Sequence, residues 1–208
     1  MEKKTYLIVK RILDVILSVV GLIVLSPLLL VVSILIKITS KGPVIFKQQR
    51  IGKDGKVFNI YKFRSMVVGA EKMGTGVYSK KGDSRVTKVG KFIRMTSIDE
   101  LPQLFNILKG EMSFIGPRPV LTYHPWKYEE YTEEQLKRFK VRPGVTGWAQ
   151  IHGRKDVEWN KRIKLDVEYV NNISFKVDVK IFFKTIYQVL SMKDNVNKEE
   201  TSKNSNNK

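Results

Sequence analysis

The dominant hydropathy pattern along the chain is one unbroken apolar run. Residues Val15 to Ile36 carry no formal charge and are mostly Val, Leu and Ile. As a helix, that length suffices to cross the hydrocarbon of a bilayer. The run is long for the apolar part of a cleaved leader, and no small-residue cleavage pattern follows it. Ser26-Pro27 falls in its middle, where proline removes a backbone hydrogen bond and crowds the preceding turn. Lys3, Lys4, Lys10 and Arg11 precede the run, and Lys37 and Lys41 follow it, so both flanks carry the charge of cytoplasmic segments. A helix that enters, turns at the break and leaves on the same side accounts for both features. A kinked span accounts for the first, and charge alone leaves the two open.

Shorter patterns follow. Val44-Ile45-Phe46 and Val57 to Tyr61 are β-prone and flank Lys53-Asp54-Gly55-Lys56, which predicts a β-hairpin turning at Asp-Gly. The two-residue period places Lys62 and Arg64 on one face of the second strand. Residues 67–82 hold four glycines and read as a surface loop. Leu101, Leu104, Phe105 and Leu108 recur at helical spacing and stop at Gly110, which predicts a short amphipathic helix. Residues 113–125 contain three prolines and read as a loop. Further helices are expected over Tyr128 to Lys140, over about Glu158 to Val170, and around Phe182, Ile186, Val189 and Leu190. The fold class is therefore α+β. Residues 1–41 hold the apolar helix, a kinked span or a re-entrant membrane helix hairpin, with its basic flanks, 42–192 a small, mostly helical domain with a β-hairpin, and 193–208 a disordered, polar tail. No internal repeat is visible.

Composition narrows the chemistry. The absence of cysteine excludes a disulfide scaffold and thiol catalysis, and two histidines, His124 and His152, are too few for a histidine metal cluster. The net charge is +18 and is unevenly spread. Between Lys37 and Arg94 fifteen basic residues stand against Asp54, Glu71 and Asp83, a local excess of twelve. Such a field attracts phosphate, whether on nucleic acid, nucleotides or anionic lipid.

Three segments can carry chemistry. In Thr96-Ser97-Ile98-Asp99-Glu100-Leu101-Pro102, Ser97 and Glu100 match a helix capping box, and on pattern alone capping is favoured over catalysis. A helix start also favours phosphate, and Asp99 and Glu100, about 100° apart around a helix, would take different roles there. In Gly116-Pro117-Arg118-Pro119 the prolines restrict the backbone around Arg118, whose guanidinium suits bidentate phosphate binding; a solvated turn is the alternative. Arg142-Pro143-Gly144 resembles it in turn content, with Arg142 either a phosphate contact or solvated.

Taken in order, Lys10-Arg11…Asp14, Ser26-Pro27, Tyr61-Lys62-Phe63-Arg64-Ser65-Met66, Asp83…Arg85, Arg94, Ser97 to Leu104, Gly110 to Ser113, Gly116 to Pro119 and Arg142 to Gly147 resemble the bacterial sugar transferases, and more narrowly the small monotopic phosphoglycosyl transferases. The resemblance runs from Lys10 to about Leu190. It implies a re-entrant helix broken at Ser26-Pro27 in the bacterial inner (plasma) membrane, with the globular part on the cytoplasmic face. The chain reads as nearly all catalytic domain, without the extra N-terminal membrane helices of larger relatives. The resemblance also implies transfer of a sugar-1-phosphate from a UDP-sugar to polyprenyl phosphate with release of UMP. Asp99 would be the nucleophile, Glu100 would assist, and Mg2+ would be held by Asp99 and Glu100. Arg118, Arg94, Lys62, Arg64 and Arg142 are the candidates for phosphate contact. The implied partners are UDP-sugar, polyprenyl phosphate and membrane lipid, not nucleic acid, with a homodimer left open. Two rival readings remain: a membrane-tethered basic module that binds anionic lipid or nucleic acid without chemistry, and a single-span protein with its domain outside the cell, which the basic stretch disfavours.

Overall fold

The computed structural model describes residues 2–74, 76, 79, 82–153 and 158–191. The expected tail over 193–208 and part of the 67–82 loop lie outside the described residues, as does the side chain of Leu190.

The apolar run folds as one helix, α1 (Lys3–Thr39), roughly 55 Å long at the helical rise. It is continuous through Pro27, not two helices joined by a turn as the central break suggests. The physical reason is local. Pro27 has no N–H to give the Ile23 carbonyl four residues back, and the Ser26 hydroxyl donates to that carbonyl at 2.8 Å. The acceptor that proline would strand is satisfied within the helix itself.

One stripe of α1 packs inward along its whole length. Tyr6, Asp14, Ser18, Val32 and Ile36 are buried, and Leu22, Leu25 and Leu29 are half-buried between them. From Asp14 on these positions recur every three or four residues, and Tyr6 lies two such steps earlier, as one helical face requires. The remaining faces are apolar and exposed, including Ile12, Ile16, Ile23, Val24, Leu30, Ile34 and Ile38. α1 contributes to three of the four apolar clusters among the described residues, so the helix is an integral layer of the core and not a detached anchor.

The predicted hairpin is present as β1 (Ile45–Ile51) and β2 (Val57–Phe63), with Ile45 opposite Phe63 and Ile51 opposite Val57. Asp54 and Gly55 both take positive φ at the turn, the conformation that an Asp-Gly pair supplies. Three short strands appear where only loops and turns were legible: β3 (Ser113–Ile115), β4 (Val120–Leu121) and β5 (Gly144–Thr146). β4 adds to β1, giving the order β2-β1-β4, and β3 pairs in parallel with β5. Two- and three-residue strands carry too little alternation to be seen in sequence.

Seven helices are described. After α1 come α2 (Lys88–Met95), α3 (Gln103–Lys109), α4 (Glu133–Leu136), α5 (Trp148–Ile151), α6 (Trp159–Asn171) and α7 (Phe175–Leu190). The charged helix expected over 128–140 is broken into 3-10 turns around α4, because Thr132 and Gln135 form a capping box that starts a new helix. α3 ends where Gly110 takes φ +85. Its buried face is Gln103, Leu104, Asn106 and Ile107, whereas Phe105 and Leu108, part of the periodic apolar set, face outward. In α7, Asp178 and Ile181 are buried, and Phe182, Ile186 and Val189 are likewise exposed.

Polar contacts fix the N-terminal half of α1. Asp178 accepts hydrogen bonds from Tyr6, Lys10 and Tyr169, and Asp14 accepts from the Ser113 hydroxyl and the Phe114 N–H at 3.1 Å each. The C-terminal half is held differently, by Val32 and Ile36 packing on Phe63 and Ile93.

Candidate active site

The turn that carries the two carboxylates begins with Ser97, a non-glycine residue at φ +59. Such a conformation is uncommon away from constrained sites. Ser97 makes no side-chain capping bond, so the capping-box reading does not hold. Glu100, its expected partner, reaches Lys62 instead. Ile98–Glu100 form a 3-10 turn that leads into α3, and the dyad therefore precedes the regular helix.

The two carboxylates have different surroundings. Lys62 on β2 donates from Nζ to Glu100 Oε1 at 2.6 Å, and Arg118 Nη2 stands 3.5 Å from the same oxygen. Burial disfavours the charge on Glu100, but Lys62 and Arg118 outweigh it and hold the carboxyl down at about 2. Asp99 carries no hydrogen bond or ion pair to its carboxylate among the described residues. Burial pushes its pKa above the usual aspartate range, Glu100's charge adds to this, and Lys62, Arg94 and Arg118 pull the other way. Glu100 is thus a pinned anion and Asp99 a free, more basic one.

Asp99, Glu100, Lys62, Arg94 and Arg118 line one open cleft of about 920 Å³. The structure so brings together five of the residues singled out in the sequence. Arg118 projects into this space with its side chain 43% exposed, although Pro117 and Pro119 on either side are buried. The other two basic candidates are engaged elsewhere. Arg64 lies just beyond β2 and is buried. Its guanidinium donates to the carbonyls of Ser40 and Lys41 and to the Ser40 hydroxyl, each at 2.8 Å, and so closes the C-terminal end of α1. The cleft wall includes Arg64, but its donors point at the backbone. Arg142 is absent from the cleft lining. Its Nε donates to the Gly110 carbonyl at 2.8 Å, next to Arg11, which donates to the carbonyls of Ile107 and Leu108. Both arginines close the C-terminal end of α3, where cations offset the helix dipole.

Arg50, His124, Trp159 and Arg162 also line the cleft and were not singled out in the sequence. Extending the alternation of the first strand to Ile51 would have found Arg50. Phe46, Gln48 and Arg50 share one face, and Phe46 pairs with Lys62. Burial, and then the neighbouring Arg118 charge, hold Arg50 down at about 10. His124 packs edge-on against Trp159, and the Arg162 guanidinium lies 4.4 Å from the Trp159 ring centre. Burial, then Arg50 and Arg162, lower the His124 pKa. The cleft therefore combines a free carboxylate, several fixed cations and an aromatic side wall, an arrangement suited to a phosphate ester with an attached ring.

The chain belongs to the bacterial sugar transferase family, whose model matches residues 5–192. It is 46% identical over 187 residues to a UDP-glucose:undecaprenyl-phosphate glucose-1-phosphate transferase of Klebsiella pneumoniae, covering 88% of this chain and 40% of that protein. It is 45% identical over 189 residues to a UDP-N-acetylgalactosamine-undecaprenyl-phosphate N-acetylgalactosaminephosphotransferase of Aeromonas hydrophila, covering 89% of this chain and 44% of that one. A sugar transferase of Bacillus subtilis, strain 168, described as uncharacterized, is 44% identical over 185 residues, covering 88% of both chains. The chain thus spans about two fifths of the length of the first two relatives and nearly all of the third.

Proposed function

We propose that this protein transfers a sugar-1-phosphate from a UDP-sugar to undecaprenyl phosphate, releasing UMP, and that it does so through a covalent phosphosugar on Asp99. The observation that carries the reading is the asymmetry of the dyad: Glu100 is pinned by Lys62 and Arg118, while Asp99 is unpaired, made more basic by burial and ringed by cations. In the first step an Asp99 oxygen attacks the sugar-proximal phosphorus. The bond from that phosphorus to the bridging oxygen breaks, and UMP departs with that oxygen. In the second step an oxygen of undecaprenyl phosphate attacks the same phosphorus and frees the Asp99 carboxylate. A carboxylate nucleophile divides one difficult transfer into two easier ones. Arg118 and Arg94 neutralise the charge of the moving phosphoryl group.

The residues fit a magnesium ion. No group of three or more acidic, His or Cys side chains exists among the described residues, and magnesium is commonly held by one or two carboxylates together with substrate phosphates. Asp99 and the second oxygen of Glu100 would hold it. Bound there, the ion supplies further charge neutralisation on the diphosphate.

The same reading places the protein at the cytoplasmic face of the inner membrane, entering without crossing. α1 is long and apolar enough to span, yet its two ends pack on one globular body, at Asp178 and at Phe63. A helix held at both ends by one body presents its outer apolar face to lipid from one side. α2 and α3 pack on α1, and their exposed Phe92, Met95, Phe105 and Leu108 are further apolar side chains that the same surface could take up. The product would be the first lipid-linked intermediate of a capsule, exopolysaccharide or glycoprotein.

The test is a burst. With a panel of UDP-sugars, magnesium and no lipid acceptor, the protein should release UMP up to one equivalent per site. It should also carry a hydroxylamine-labile phosphosugar on the peptide containing Asp99. Asp99→Asn should lose both. UMP that appears only after undecaprenyl phosphate is added, with no adduct trapped, would mean direct transfer and overturn the covalent step. Single cysteines near Lys4 and Lys41 should both label from the cytoplasmic side; labelling from opposite sides would overturn the monotopic reading.

A further inference from the structure

The loop that presents Arg118 has an unusual support. Pro117 and Pro119 have no N–H, so this stretch is held largely through its carbonyls. Each of three successive carbonyls accepts from a different element. The Gly144 N–H of β5 donates to Pro117 O at 2.9 Å, Arg138 Nη2 donates to Arg118 O at 2.9 Å, and Arg50 Nη1 donates to Pro119 O at 3.1 Å. The first contact requires close approach: a Cβ on Gly144 would stand 2.1 Å from the Gly116 nitrogen.

Arg138 differs from the other donors. Its side chain is 1% exposed, it lines no part of the cleft, and it pairs with the equally buried Asp166 of α6. Nε and Nη2 both donate to Asp166 Oδ2, at 3.1 and 2.6 Å. Nη2 carries two hydrogens, one directed to Asp166 and the other to Arg118 O. Asp166 therefore sets the rotation of the guanidinium that holds the Arg118 backbone. The Arg138 guanidinium lies over the Phe139 ring and beside Tyr131, and both belong to a buried apolar cluster with Ile51, Val120, Ile163 and Val167. Burying an ion pair in such a place is costly, and apolar side chains of similar volume are often tolerated or more stable. What they cannot do is donate to Arg118 O.

We propose that Arg138 and Asp166 are positioning residues for Arg118, fixing the guanidinium that meets the transferring phosphate. The proposal rests on the reading of Arg118 given above, and its test separates the two. Single-turnover UMP release is measured for wild type, Arg118→Ala, the paired replacement Arg138→Met with Asp166→Leu, and all three together, alongside thermal melting. The paired replacement should slow release by about a hundredfold, the scale of a misplaced catalytic group, with melting retained. In the Arg118→Ala background it should cost less than about twofold, because the side chain it positions is gone. An equal loss in both backgrounds would make the pair a general structural support and overturn the proposal, as would full activity in the paired variant. If the paired variant does not fold, Arg138→Lys takes its place in the same cycle. Lysine keeps a charge for Asp166 but lacks the planar fork that serves both acceptors. If Arg118→Ala itself turns over normally, it is the role of Arg118 that fails. If wild type releases no UMP from any UDP-sugar, the transferase reading fails.

Discussion

Lys62 and Arg64 stand two residues apart at the end of one strand, yet they belong to two regions with opposite surroundings. Lys62, with Arg94 and Arg118, faces an open cleft and a pair of carboxylates. Arg64 faces inward and closes the end of α1, while Arg85 pairs with Asp83 and donates to the carbonyls of Ala70, Met73 and Gly76. Arg138, Arg142 and Arg11 belong to this second group. In the cleft, the cations leave a surplus of positive charge that a diphosphate can match. In the packed region each guanidinium serves backbone acceptors, and its several donors in one plane are what the site uses. A basic stretch in sequence therefore overstates the phosphate-binding surface, because part of it is internal scaffolding.

The comparison predicts a separation between activity and stability. The largest effect is expected for Arg118→Ala, which should lower the single-turnover rate by about a hundredfold or more with melting unchanged. Arg118→Lys should recover part of it, since the charge remains and the fork does not. A variant with near-normal turnover would return Arg118 to the solvated turn that is its alternative.

Lys62→Met should act next, through pH. The covalent step proposed above needs ionised Asp99, whose pKa burial raises, so activity should fall on acidification at a higher pH than an ordinary aspartate would give. Removing the Lys62 charge withdraws a stabiliser of the Asp99 carboxylate, so the acid limb of kcat/KM should move to still higher pH. The stability effect has its own sign. Glu100 is depressed to about 2, so its pairing contributes stability above the usual glutamate pKa of about 4.3 and loses it as pH falls through about 2. Lys62→Met should flatten that dependence. An unmoved acid limb would show that another group controls the profile.

Arg64→Met should show the opposite separation. Losing the cap on α1 should destabilise by about 1–3 kcal/mol, read by denaturant melting, with single-turnover UMP release per folded molecule unchanged. A larger loss of rate than of stability would place Arg64 back among the phosphate contacts. The smallest change is expected for Phe105→Ser with Leu108→Ser. Both side chains are exposed, at 48% and 37%, so melting in detergent should shift by less than about 0.5 kcal/mol. Partition onto anionic vesicles should weaken, and unaltered partition would remove α3 from the proposed lipid-facing surface.

Much of the site was legible because its signals are local. Asp99-Glu100, Pro117-Arg118-Pro119 and Asp54-Gly55 each announce themselves within a few residues, and the structure places the first two around one cleft. Arg50 and Arg138 were not legible. Arg50 depends on a strand longer than its most apolar part, and Arg138 on a contact 28 residues away with Asp166. Nothing in the residues around Arg138 marks it as buried.

The sequence alone determined where α1, α3, α6, α7 and the hairpin lie, because apolar periodicity and turn residues act over one or two turns of chain; α2 and α5 were not read from it. It located the apolar run and its central proline, the acidic dyad and the proline-flanked arginine. Tertiary structure alone decided which face of each helix turns inward. In α3 and α7 the periodicity marks an apolar side correctly, yet Phe105, Leu108, Phe182 and Ile186 point away from the core. A hydrophobic period reports that a face avoids water; it does not report whether protein or some other apolar surface covers it. In the same way the charge pattern located the arginines, but only packing decided which met open space and which met carbonyls. A guanidinium takes its role from the acceptors that folding brings to it, and those come from distant parts of the chain.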